Sequence, residues 1–194
     1  MKVLVVHCHP NPASLVAAAK DRVLAGLDAA GHEVRITDLY ADGFRPELSP
    51  EEWHRHHVAG VGDDLSRHAD DLRWAEGLVF VYPTWWSGQP AMLKGWMDRV
   101  WASGVAWELP DGARVLRPLL TDIRRLAVVT THGSSKWINS IEGESGKRTV
   151  FRSLRSLCSG RVRTSWTAIY GLDRADEATR RAWLDRVELR FSRF

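Results

Sequence analysis

The chain has 194 residues, 44% of them hydrophobic and 26% charged, the proportions of a folded globular protein with a full core in one domain spanning residues 1–194. No apolar run approaches the roughly 20 residues of a membrane span, and Val3 to Val6 is too short for a signal-peptide core, so a cytoplasmic chain without membrane insertion is expected. Cys8 and Cys158 offer no disulfide framework, and the net charge of +3 comes with no nucleic-acid motif, so no nucleic-acid partner is expected.

The charge is unevenly divided. Residues 1–111 carry ten Lys/Arg against sixteen Asp/Glu and residues 112–194 seventeen against eight, so the two halves stand near −6 and +9. The second half suits an anionic nucleotide or partner, or else simply carries solvated helix faces.

Lys2 to Val6 reads as a first strand, and Leu15, Ala19, Val23 and Leu27 mark one face of a helix running to about Ala30. Ser14 is its natural N-cap and Gly31 its stop. A hydroxyl and free N–H groups opening the first helix, directly after the first strand, make an anion site: Ser14 with the amides of Leu15 and Val16, on a loop from His9 stiffened by Pro10 and Pro12. Neither a Gly-x-Gly-x-x-Gly nor a Walker loop is present.

Glu33 to Tyr40 alternates as a strand near the sheet edge. Ser49 to Glu52 is a capping box opening a short helix, and Asp63 or Asp64 opens another. His54, His56 and His57 are spread around a helix with no carboxylate or thiolate pattern beside them, so no metal site is expected.

Leu78 to Tyr82 is apolar without alternation, as in a strand covered on both faces. Pro83 ends it, and Pro90 fits the first position of a helix reaching Trp101 with Met92, Trp96 and Val100 on one face. The loop between holds Thr84, Trp85, Trp86, Ser87 and Gly88. Its amides from Thr84 to Ser87 can point outward together beside two flat indoles, which suits a planar, electron-accepting ring such as an isoalloxazine. Taken alone, the stretch is equally a core strand with an aromatic turn.

Residues 102–122 read as loop, Arg125 to Thr131 as a fourth strand, and Thr131 to Ser135 as a third loop at a strand's carboxyl end. A helix over 147–159 closed by Gly160, a strand over 162–170 and a helix over 173–191 follow. Successive β-α units predict an α/β, doubly wound, five-stranded parallel sheet of flavodoxin-like order 2-1-3-4-5 with helices on both faces. Its switch point sets His9 to Ser14 beside Pro83 to Ser87.

These residues carry a resemblance. Val5 to Ser14, Asp38 to Tyr40, Phe44 to Pro46, Phe80 to Arg99, Val129 to Thr131 and Tyr170 to Asp173 are similar to the flavodoxin-like NAD(P)H:quinone oxidoreductases and their bacterial relatives, some of them ancillary subunits of potassium efflux systems. The resemblance implies a flavin, FMN or FAD, with its phosphates on the loop from His9 to Val16. It implies an isoalloxazine along Pro83, Thr84, Trp85, Trp86 and Ser87, bordered by Thr130, Thr131, His132 and Gly133. NAD(P)H would deliver a hydride and a quinone or similar aromatic would then take it at the same face, in a homodimer with interfacial pockets. The chain departs from the family pattern in having Leu15 and Val16 after the serine, His132 in place of a glycine, and Trp137 as a rough stand-in for a tyrosine. His132 is therefore the candidate to bond the ring or donate a proton, or else it packs the loop. A flavin-binding regulatory subunit with little turnover is the alternative to an enzyme.

Overall fold

The computed structural model describes residues 1–55 and 58–194, so His56 and His57 lie outside the described residues. The strands β1 (Lys2–His7), β2 (Glu33–Asp38), β3 (Gly77–Pro83), β6 (Arg125–Thr131) and β7 (Arg163–Ile169) form a parallel sheet in the order β2-β1-β3-β6-β7. Taken in chain order these are the expected 2-1-3-4-5. The segment expected to be loop over 102–122 also holds a two-stranded antiparallel ribbon, β4 (Trp107–Glu108) with β5 (Arg117–Pro118), paired Trp107 to Pro118.

Strand side chains alternate, so each buried strand feeds two cores. On one face Val3, Val5, Val79, Val81, Ala127 and Val129 pack under α1 (Leu15–Ala29) and the terminal helix α7 (Glu177–Phe191). On the other, Leu4, Val6, Leu78, Phe80, Leu126 and Val128 pack under α3 (Ser66–Trp74) and α4 (Ala91–Val100). Every residue of β3 is buried, while β2, at the edge, is only partly so.

Helix ends follow local chemistry where the signal was strong. Ser14 caps α1 by accepting the Ala17 N–H at 3.1 Å. Gly31, at φ +70°, closes it with a Schellman pair: His32 N–H to Leu27 O at 3.0 Å and Gly31 N–H to Asp28 O at 2.8 Å. Ser49 and Glu52 form the reciprocal capping box that opens α2 (Pro50–His54).

Other boundaries differ from expectation. Neither Asp63 nor Asp64 caps a helix: the chain makes a 3₁₀ turn over Asp63–Leu65 and runs into α3. Asp64 is drawn instead to the buried guanidinium of Arg99 at 2.7 Å, which Glu52 also meets at 2.7 Å, because a desolvated cation needs its counter-charges. Pro90 has ψ 148° and is the residue before α4, not its first; its carbonyl accepts the Lys94 N–H at 2.9 Å. The helix expected over 147–159 changes pitch, from α6 (Ser145–Arg148) to a π turn (Thr149–Ser153) and a 3₁₀ turn (Leu154–Leu157). Val150, Leu154 and Cys158, four residues apart, are all buried along this segment. The chain leaves in extended form at Cys158, so Gly160 caps nothing. The terminal helix starts at Glu177 behind Asp176, whose carboxylate accepts the Thr179 N–H at 2.8 Å, and Asp173 sits in a preceding 3₁₀ turn. No helix among the described residues is long and apolar enough to cross a membrane.

Candidate functional site

Three loops leave the carboxyl ends of β1, β3 and β6, the crevice where an open α/β sheet presents its ligand. The first two are neighbours at the switch point, with the rings of His9 and Trp85 6.2 Å apart.

The loop after β1 satisfies itself. His9 Nδ1 lies 3.0 Å from the Asn11 N–H and 3.1 Å from the Asn11 carbonyl oxygen, and Asn11 Oδ1 accepts the Ala13 N–H at 2.9 Å. The amides of Leu15 and Val16, first in α1, have no acceptor within the helix and form the positive end of its dipole. The Val16 side chain is buried beneath the sheet, so only its backbone faces the loop.

The loop after β3 is held from outside. Thr84 N–H is taken by Thr131 O at 2.8 Å, and Trp85 and Gly88 exchange two hydrogen bonds, at 3.1 and 3.2 Å. The amides of Thr84 and Trp85 therefore do not point outward as the sequence suggested; parallel pairing and hairpin closure consume them. Trp86 and Ser87 form the tip, with φ of 49° and 59°. Two left-handed residues in succession are the pattern of a type I′ turn, normally filled by Asn and Gly, and each costs about 1 kcal/mol or more. Ser145 Oγ donates to Ser87 O at 2.5 Å, Gly146 N–H donates to the same carbonyl at 3.2 Å, and Ser87 Oγ donates to Glu142. These bonds hold the strained turn in place.

The loop after β6 is anchored by a buried relay. His132, only 4% exposed, directs Nδ1 at Asn139 Oδ1, 2.7 Å away, from the helix α5 (Lys136–Ile141). Asn139 Nδ2 already donates to Ser135 O at 2.8 Å and Ser134 Oγ at 3.0 Å, so its Oδ1 is the acceptor and the imidazole proton sits on Nδ1. The bare Nε2 faces Thr84 Oγ1 at 3.4 Å, and Thr84 Oγ1 lies 2.9 Å from Thr130 Oγ1. The imidazole stacks on Tyr170 at 4.4 Å, whose hydroxyl donates to Glu144 at 3.2 Å. Burial pushes the His132 pKa below its ordinary 6.5, against the opposing pull of Asn139 and the nearby glutamates, so the ring is neutral. Gly133 lies close against Asp173: a Cβ there would come within 2.8 Å of its Oδ2, so that side chain would have to swing away.

Around this crevice Trp85, Trp86, Trp137, Ile138 and Ile141 are exposed. The structure thus brings together His9, Ser14, Pro83, Ser87, Thr130, Thr131 and His132, and leaves Trp137 on the rim. Asn139, Tyr170 and Glu144 complete the relay and were missed as site residues: α5, which carries Asn139, is too short to announce itself by periodicity, and Tyr170 and Glu144 meet only in the folded chain.

The model of the Flavodoxin_2 family, a flavodoxin-like fold, matches residues 1–188. The chain belongs to that family. This flavodoxin-like chain is 28% identical to a solved NAD(P)H:quinone oxidoreductase from Methanothermobacter marburgensis, with TM-score 0.82, covering 99% of this chain and 94% of that one. It also matches the solved Smu.1420 of Streptococcus mutans, at 29% identity and TM-score 0.87 over the whole of both chains. Among curated proteins it is 32% identical, over 69% of its own length, to the ribosyldihydronicotinamide dehydrogenase-like protein traD of Penicillium crustosum. It spans 58% of that relative's length. The family resemblance read from the central motif is borne out.

Proposed function

We propose that the chain is a flavin-dependent oxidoreductase that passes a hydride from NAD(P)H to a quinone or similar electrophilic aromatic, as a cytoplasmic homodimer. The observation that carries this reading is the strained turn at Trp86 and Ser87, held by three bonds from other elements beside the open end of α1. Backbone strain sustained by outside contacts marks a preorganised site.

The residues fit a flavin. Ser14 and the amides of Leu15 and Val16 would take its phosphate, and His9 would flank it. The amides of Trp86 and Ser87 would face the ring edge where negative charge develops, with Pro83, Thr84 and Trp85 alongside and Thr130, Thr131 and Gly133 at the border. When bound, the flavin supplies hydride acceptance and donation. His132 serves as a positioning residue: its only free nitrogen accepts from Thr84, so it fixes the β3 and β6 loops to each other instead of delivering a proton. Trp137 and the exposed apolar rim would exclude water once a second copy covers them, as two-sided burial of such a patch requires. Both cysteines are free and buried, as suits a reducing compartment.

The test is direct. Purified protein should be yellow, release one flavin identifiable by mass, and oxidise NADH or NADPH in the presence of a simple quinone. A colourless protein that takes up neither FMN nor FAD would sink the reading.

A further inference from the structure

Far from the crevice, a groove of about 690 Å³ runs between β7 and the second half of α7. Its lining includes six consecutive strand residues, Arg163 to Ala168, so it follows the strand for about 20 Å. β7 ends the sheet, and no strand among the described residues pairs with its outer edge.

The groove is lined by donors. Arg125 and Arg163 are register partners on neighbouring strands, a like-charge pair that is unfavourable without an anion. Arg186 and Arg190 come from one side of α7 and Arg193 from the turn after it, and none of these three, nor Arg163, forms an ion pair among the described residues. The acids of the same helix are engaged elsewhere, Asp185 and Glu188 both meeting Arg22 at 3.5 and 2.5 Å. Trp183 is 1% exposed, yet its indole Nε1 has no hydrogen-bond partner among the described residues, and neither has the buried Oγ1 of Thr167, which also lines the groove. Solvated edge arginines that merely prevent aggregation would not account for two buried donors left without acceptors. Leu189 and Phe194 add apolar surface.

We propose that this groove binds an extended acidic segment of a partner protein, which adds as a strand along β7 and places carboxylates on the arginines and on the Trp183 indole N–H. Two cations stand together at the amino-terminal end of the open edge and three more line the facing helix end over about 10 Å, while the groove continues along the unpaired strand, which an extended chain follows and one compact polyphosphate does not. The arginines stand at the amino-terminal ends of β6 and β7, opposite the crevice, so docking leaves the site open. The inference is independent of the flavin.

The test uses the full chain as purified and a fluorescent peptide of alternating Glu and Val, read by anisotropy. Saturable binding is expected, weakened about tenfold by the double variant Arg186→Glu with Arg190→Glu and severalfold by N-methylation of alternate peptide amides, which removes strand pairing alone. Trp183→Phe, which keeps the core filled, should also weaken it, while NADH oxidation stays unchanged in the arginine variant. Absence of binding, binding indifferent to charge reversal or to N-methylation, or displacement by ATP at lower concentration than by unlabelled peptide would overturn the proposal.

Discussion

The loops after β1 and β3 lie side by side and are built in opposite ways. The first is closed by its own residues, Asn11 bonding to His9 and Ala13, and Ser14 capping the helix that follows. The second is closed by Thr131, Ser145, Gly146 and Glu142, and keeps two non-glycine residues left-handed. A self-satisfied loop is available to its ligand as soon as the strand forms. A loop held from outside can store strain, but it depends on distant contacts.

His132→Ala should separate the two most strongly. It removes a buried stack on Tyr170 and leaves Asn139 Oδ1 without its donor, so a loss of about 3 kcal/mol in urea unfolding is expected. Binding at the first loop should survive: phosphate-end contacts persist while quinone turnover falls. An unchanged unfolding midpoint would show the relay is not what holds the third loop.

Acid should act next. His7, His68 and His132 are each pushed below 6.5 by burial, which for His7 outweighs the Asp38 hydrogen bond. Between the folded and unfolded values the unfolded chain binds more protons, so stability is complete above pH about 6.5 and is lost as pH falls below it, by at most about 1.4 kcal/mol per unit for each histidine. His132→Gln should make that slope shallower; an identical slope would remove His132 from the set.

Ser14→Ala acts on the first loop alone. Loss of the cap should cost about 1 kcal/mol and weaken flavin binding, without altering the absorbance that reports on the ring environment. The smallest effect runs the other way. Trp86 is fully exposed, so Trp86→Gly loses no packing and relieves a left-handed conformation, giving a gain of about 0.5 kcal/mol in thermal unfolding. If stability falls instead, the turn is not strained by its residue type.

The same contrast explains what was legible. Ser14, Gly31 and the Ser49–Glu52 box were readable because cap and partner lie within a few residues of one another. Pro90 was misplaced by one position because its φ fits both the helix and the residue before it, and only the ψ of the incoming turn decides. The Asp64 cap failed for a longer-range reason: Arg99, 35 positions later, takes the carboxylate. The continuous apolar run of β3 announced a doubly covered strand, and that in turn placed the crevice.

Local order in the sequence therefore determined the five parallel strands, their sequence of winding and the first loop, since apolar runs mark the covered strands, successive β-α units set the winding, and the loop's hydrogen bonds span two or three residues. Tertiary structure alone decided which amides near Trp86 remain open, the tautomer of His132, and the uncompensated arginines between β7 and α7. Those properties belong to groups that meet only after the chain has wound, where burial and the choice among competing partners set both proton and charge.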